Sequence, residues 1–224
     1  MRLQRFFLLA LFIVIPGFLL AQVTGDSISY NTDYYRAQLE KFKKEPVVKG
    51  KVVFLGNSIT EGGNWKKLLK DSTVINRGIS GDITSGILNR IGEVSNRQPS
   101  RLYLLIGIND ISQNIPDEAI MENIFSILGK LKSASPKTKI FVQSILPTNN
   151  SFPDFPNHKN KDDHITTINA QLEKYGDRLK YTYIDLYSKF LDSEGRLDAK
   201  YTADGLHLNA AGYAHWVEIL NRLK

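Results

Sequence analysis

Five apolar runs of strand length recur along this chain, and the segments between them carry apolar residues at helical spacing. The runs are KVVFLG at 51–56, STVINRG at 72–78, RLYLLIG at 101–107, KIFVQSIL at 139–146 and KYTYIDLY at 180–187. Helical patterns cover 65–69, 83–91, 119–131 and 165–175, and a last one covers 210–223. Strands that are apolar without alternation must be buried on both faces, and helices between them provide the cover. The alternation therefore predicts a three-layer α/β/α sandwich around a five-stranded parallel sheet. Ahead of it, Tyr35, Leu39 and Phe42 predict a helix over 34–44, with Asp33 as its cap.

The first residues are excluded from that fold. MRLQRFFLLALFIVIPGFLLAQ places Arg2 and Arg5 before an apolar run over 6–20, with Ala21 ahead of a cut before Gln22. A basic start followed by an apolar run of this kind reads as a signal peptide over 1–21. The run is 15 residues long, short of the ~20 that span a bilayer, so cleavage is expected rather than stable membrane insertion. The mature protein is then expected outside the cytoplasm, periplasmic or released. Residues 22–50 form a polar lead plus the first helix, and 51–224 form one domain. The chain has no cysteine, which removes both a lipid-modified thiol and a disulfide framework.

The formal charge is +6, from 29 basic and 23 acidic residues, and it falls to +4 once Arg2 and Arg5 are removed. Lysines are scattered among acids and apolar residues, so the pattern reads as a solvated surface and not as a nucleic-acid footprint.

In open parallel sheets, ligands sit beyond the carboxyl ends of the strands. Three of those ends carry small and polar residues in quick succession: GNSIT, NRGISGDIT and IGINDIS. Ser58, in the first, is either turn chemistry or a nucleophile. Four histidines could serve it as base: His158, His164, His207 and His215. His207 stands three residues after Asp204, close enough in a turn for the carboxylate to hold the imidazole Nδ1–H. His158 and His164 flank HKNKDDH and read as solvated surface, with a metal site as the remote alternative, whereas His215 beside Trp216 reads as structural. An oxyanion needs preorganised donors. Gly81 can offer an unobstructed N–H, Asn109 a side-chain amide and Ser58 its own N–H.

Taken together, these segments resemble the SGNH hydrolases, also called the GDSL esterase/lipase family. FLGNSIT matches the first block with Ser58, NRGISGD the second with Gly81, IGIND the third with Asn109, and DGLHLN the fifth with Asp204 and His207. The resemblance runs from about Lys51 to the end, with the blocks in the family's order. It implies a flavodoxin-like fold, a Ser58–His207–Asp204 triad, an oxyanion hole of Ser58, Gly81 and Asn109, and no metal or other cofactor. One position departs: the family's Gly-Asp-Ser is Gly-Asn-Ser here, so Asn57 removes a charge beside the nucleophile.

The implied activity is hydrolysis of short-chain, acetyl esters. The exported, charged mature chain and its long NNSFPDFPNH loop favour O-acetyl groups on carbohydrate, with Asn57, Phe152 and Phe155 as candidate substrate contacts. The alternatives are a lysophospholipase or other short-chain lipid esterase and, from another class, a non-catalytic glycan-binding protein on a hydrolase scaffold.

Overall fold

A computed structural model describes residues 30–222. The expected signal peptide lies outside them. Within this range the chain forms helix α1 (Asp33–Lys44), then strand β1 (Val52–Gly56), α2 (Ser58–Glu61), α3 (Trp65–Leu68) and β2 (Ile75–Gly78). It continues through α4 (Thr84–Ser95), β3 (Arg101–Leu105), α5 (Ile108–Ser112), α6 (Asp117–Ala134) and β4 (Lys139–Gln143). A long loop leads to α7 (Asp162–Leu179), β5 (Thr182–Ile184) and, after two short 3-10 turns, α8 (Ala210–Asn221).

The five strands form one sheet in the order β2-β1-β3-β4-β5, with every pairing parallel. This is the α/β architecture the alternation predicted. Helices α4, α6 and α7 pack in one layer, while α3 and α8 meet on the other. On the α3 side an aromatic file crosses the sheet. Trp65 stacks on Phe54 at 4.0 Å, Phe54 on Tyr103 at 4.8 Å and Tyr103 on Phe141 at 4.7 Å. Trp216 from α8 meets Trp65 edge-on at 4.8 Å, so the file locks the helical layer to the sheet. Each such pair contributes ~0.5–1.5 kcal/mol beyond area burial.

Several boundaries differ from those expected, for local reasons. The strand over 101–107 stops at Leu105, because Gly107 takes φ +127° and leads into α5. The strand over 180–187 shrinks to Thr182–Ile184, since Asp185 turns back to accept from the Ser188 N–H at 3.0 Å. The cap of α1 is Thr32, whose hydroxyl accepts from the Tyr35 N–H at 3.1 Å, and Asp33 pairs with Arg36 instead. Helix α1 docks through Tyr35 and Phe42 onto Ile79, and Arg97 donates to the Phe42 and Pro46 carbonyls.

Between β1 and β3 the strand order changes direction, and at that point a parallel sheet opens a crevice at its carboxyl edge. Ser58 follows β1, Asn109 follows β3, and Gly81 follows β2 beside them.

Candidate active site

Ser58 opens α2 directly after β1. Asn57 is fully buried and caps the helix, its Oδ1 accepting from the Ile59 N–H at 3.0 Å. This cap turns the chain sharply enough to leave Ser58 half-buried at the crevice. The Asn57 Nδ2 is buried without a partner among the described residues. The family's acid would place an oxygen at that point, so the departure from Gly-Asp-Ser leaves the cap intact and changes only this second atom.

His207 reaches Ser58 from the turn ahead of α8. Its Nε2 lies 3.0 Å from Ser58 Oγ, and its Nδ1 lies 2.8 Å from Asp204 Oδ2. The other Asp204 oxygen accepts from the His207 and Leu206 N–H groups at 2.7 and 2.9 Å. Burial pushes the Asp204 carboxyl up, but those two N–H groups and the His207 ring outweigh it, and the carboxyl sits below its ordinary value. An ionised acceptor on Nδ1 fixes the ring with its Nε2 lone pair toward Ser58.

The three positions expected to offer oxyanion donors follow the carboxyl ends of β1, β2 and β3. Gly81 is exposed and adopts φ +78°, a conformation that a side chain would strain, although a Cβ there would meet nothing within 4 Å. The glycine is therefore needed for its backbone shape rather than for space. Among the described residues neither the Ser58 nor the Gly81 N–H has an acceptor. Asn109 is buried at the start of α5, and its Nδ2 donates to the Asp82 carbonyl at 2.9 Å. Glu61 on α2 holds the Gly81 loop by accepting from both the N–H and the hydroxyl of Ser80, at 2.7 and 2.5 Å.

Two buried carboxylates underpin this edge, and the strand-end reading did not single them out. Asp82 pairs with Arg90 at 2.9 Å, both fully buried, and Arg90 also donates to the Gly56 and Arg77 carbonyls at 3.1 and 2.9 Å. One guanidinium thus ties together the ends of β1 and β2 and the loop after Gly81. Asp110, next to Asn109, accepts from the Thr84 N–H at 3.0 Å and the Thr84 hydroxyl at 2.5 Å. The only sequence signal for Arg90 was a charge inside the apolar helical pattern ILNRIG.

The long loop after β4 behaves differently from its solvated reading. His158 is half-buried, with Nε2 3.2 Å from Asn109 Oδ1 and Nδ1 fully buried. It is no surface residue: the 3-10 turn at Pro156–His158 packs on α5 and carries it inward. Phe155, at the exposed rim, lies edge-on to His207 with ring centroids 4.9 Å apart. Phe152 packs instead on Gly205, where an added Cβ would come within 3.0 Å of its own. His164 pairs with Asp117 at the surface, and His215 stacks on Tyr201 and reaches the Lys189 carbonyl. Among the described residues no His, Cys, Asp and Glu side chains gather as a metal-binding group, and no helix is long and apolar enough to cross a membrane.

A hydroxyl, an imidazole and a carboxylate thus stand in hydrogen-bonded file at the carboxyl edge of a parallel sheet. The chain belongs to the GDSL-like Lipase/Acylhydrolase family, whose sequence pattern matches residues 54–215, and it is a carboxylic ester hydrolase. It is 27% identical over 208 residues to Platelet-activating factor acetylhydrolase IB subunit alpha2 of Rattus norvegicus, covering 90% of this chain and 85% of the relative. The alpha1 subunit from the same animal is 26% identical over 196 residues, covering 85% and 80% of the two chains. Among solved structures, a GDSL-like lipase from Bacteroides thetaiotaomicron VPI-5482 superposes with a TM-score of 0.73 at 27% identity, over 84% of this chain and 96% of that one.

Proposed function

We propose that the protein is a serine esterase that removes acetyl groups, and that Ser58, His207 and Asp204 are its catalytic residues. The observation that carries this reading is the unbroken file from Asp204 Oδ2 through His207 to Ser58 Oγ, at 2.8 and 3.0 Å. Ser58 Oγ attacks the ester carbonyl carbon as His207 Nε2 takes its proton. The carbonyl oxygen gains negative charge and is held by the Ser58 and Gly81 N–H groups and the Asn109 amide. Collapse expels the alcohol, which receives the proton from His207. A water molecule deprotonated by the same ring then attacks the acyl-enzyme, releases acetate and restores Ser58. Every proton and bond is accounted for by groups of this chain, water and substrate.

The alcohol is a carbohydrate hydroxyl in this reading. Its support is the exposed Phe155 ring beside His207, a face on which a sugar can stack, and the neighbouring polar cavity of about 310 Å³ lined by Ser112, Asn114, Asn157, Lys159 and Lys161. The similarity to platelet-activating factor acetylhydrolases favours a second reading, an acetyl ester on a lipid. In both readings the site works outside the cytoplasm, as the basic and apolar start of the chain supports.

The test pairs the purified mature protein with its Ser58→Ala variant on p-nitrophenyl acetate, then on acetylated oligosaccharides beside an acetylated glycerophospholipid. Loss of at least about 10³-fold in the variant upholds the serine mechanism, and preference for the oligosaccharides upholds the carbohydrate reading. Equal rates in the two proteins overturn the first, and preference for the lipid overturns the second.

A further inference from the structure

The Asn109 side chain is held on both of its polar atoms, and the two contacts together fix which way it points. The Asp82 carbonyl can only accept, so the atom 2.9 Å from it is the Asn109 nitrogen. That leaves Asn109 Oδ1, an acceptor, facing His158 Nε2 at 3.2 Å. His158 must then carry a proton on Nε2 and donate it. Its Nδ1 is buried with no partner among the described residues, which suits a bare lone pair better than an N–H. Burial lowers the His158 pKa, with the neighbouring His207 and Lys161 acting in the same direction, in keeping with a ring that carries a single proton.

We propose that His158 is a positioning residue of the esterase reaction, and that its hydrogen bond to Asn109 Oδ1 locks the amide so that one Nδ2 hydrogen is free for the oxyanion. Without it, the Asn109 amide is tethered only through Asp82 and is free to rotate its second hydrogen away from the developing charge. Removing an oxyanion donor outright costs ~10²–10³ in kcat, and loosening one costs a fraction of that. The placement also explains the long loop. The same 3-10 turn sets Phe155 against His207 and His158 against Asn109, joining the proton-transfer side of the site to its oxyanion side.

This inference rests on the serine-esterase reading, and the experiment separates the two. Kinetics on p-nitrophenyl acetate would be measured for His158→Leu, His158→Gln and His158→Asn, each also combined with Asn109→Ala, with thermal midpoints alongside. The Gln amide nitrogen reaches the place of Nε2, and the shorter Asn does not. The expected result is a kcat lowered about 10–100-fold in His158→Leu and His158→Asn with KM changed less than about threefold, and near recovery in His158→Gln. In the Asn109→Ala background, changing His158 should then lower kcat by less than about twofold. Should His158→Leu fail to fold, the Gln and Asn variants decide the matter by the same criterion. A shift confined to KM, equal loss in the Gln and Asn variants, or full multiplication of the two losses in the double variant overturns the role of His158. Retention of activity in Ser58→Ala overturns the esterase reading itself.

Discussion

Glu61 and Ser80 join the helix that carries Ser58 to the loop that carries Gly81. One Glu61 oxygen accepts from the Ser80 N–H and hydroxyl at 2.7 and 2.5 Å, and the other accepts from the Tyr34 hydroxyl at 2.5 Å. The spacing of Ser58 and Gly81, the proposed nucleophile and oxyanion donor, is therefore braced by a side chain whose own contacts are to Ser80 and Tyr34. Glu61→Ala is expected to lower kcat about tenfold or more with little change in KM, because small misplacements of reacting groups cost up to ~10²-fold. Steady-state kinetics beside a thermal melt check it; an unchanged kcat in a folded variant contradicts it.

In the proposed mechanism Asp204 orients His207 and does not exchange its own proton with substrate. Asp204→Asn keeps the shape but offers an amide where Nδ1–H needs an acceptor, so the ring is free to turn its wrong tautomer to Ser58. The expected kcat loss is on the order of 10³–10⁴. A loss below tenfold would place the orienting group elsewhere.

The buried Asp110 makes stability depend on pH in a direction opposite to a paired surface carboxylate. Burial raises its pKa to about 6, against the two hydrogen bonds from Thr84 that lower it. Because the folded value exceeds the unfolded one, folding takes up a proton between them. The contribution is therefore most favourable below about pH 4 and declines as pH rises through about 6, by on the order of 2–3 kcal/mol. Asp110→Asn, which can still accept from Thr84, should flatten unfolding free energy against pH over that window. Denaturant titrations at pH 4, 5, 6 and 7 would show the difference, and identical slopes for both proteins would contradict it.

Phe155 is the exposed aromatic beside His207, and Phe152 is the one that anchors the loop to Gly205. Phe155→Ala is expected to raise KM several-fold on an acetylated oligosaccharide while leaving kcat on p-nitrophenyl acetate within about threefold. Phe152→Ala is expected to lower the melting temperature instead. Reversal of the two phenotypes would reassign the aromatics.

Ser58, Gly81, Asn109, Asp204 and His207, the residues of the proposed site, stand out in the sequence because each sits where a strand end or turn imposes its own local pattern. The sheet was legible for the same reason: continuous apolar strands admit few architectures. What the sequence concealed depends on contacts between distant segments. His158 reads as solvated in HKNKDDH, and it turns inward only because its 3-10 turn packs on α5, 49 residues away in sequence at Asn109. Arg90 and Asp82 look like ordinary charges until the fold buries them together beneath the ends of β1 and β2. The strand ends were overestimated because Gly107 and Asp185 divert the backbone before the apolar run finishes.

The most direct measurement is covalent trapping of the proposed nucleophile, Ser58. The purified protein would be incubated with a p-nitrophenyl phosphonate ester, and its peptides mapped by mass spectrometry, with Ser58→Ala treated in parallel. A single adduct on Ser58, absent from the variant and formed far more slowly in His207→Ala, is the predicted result. An adduct on another residue, or ester hydrolysis that persists in the protein without any adduct on Ser58, would contradict it.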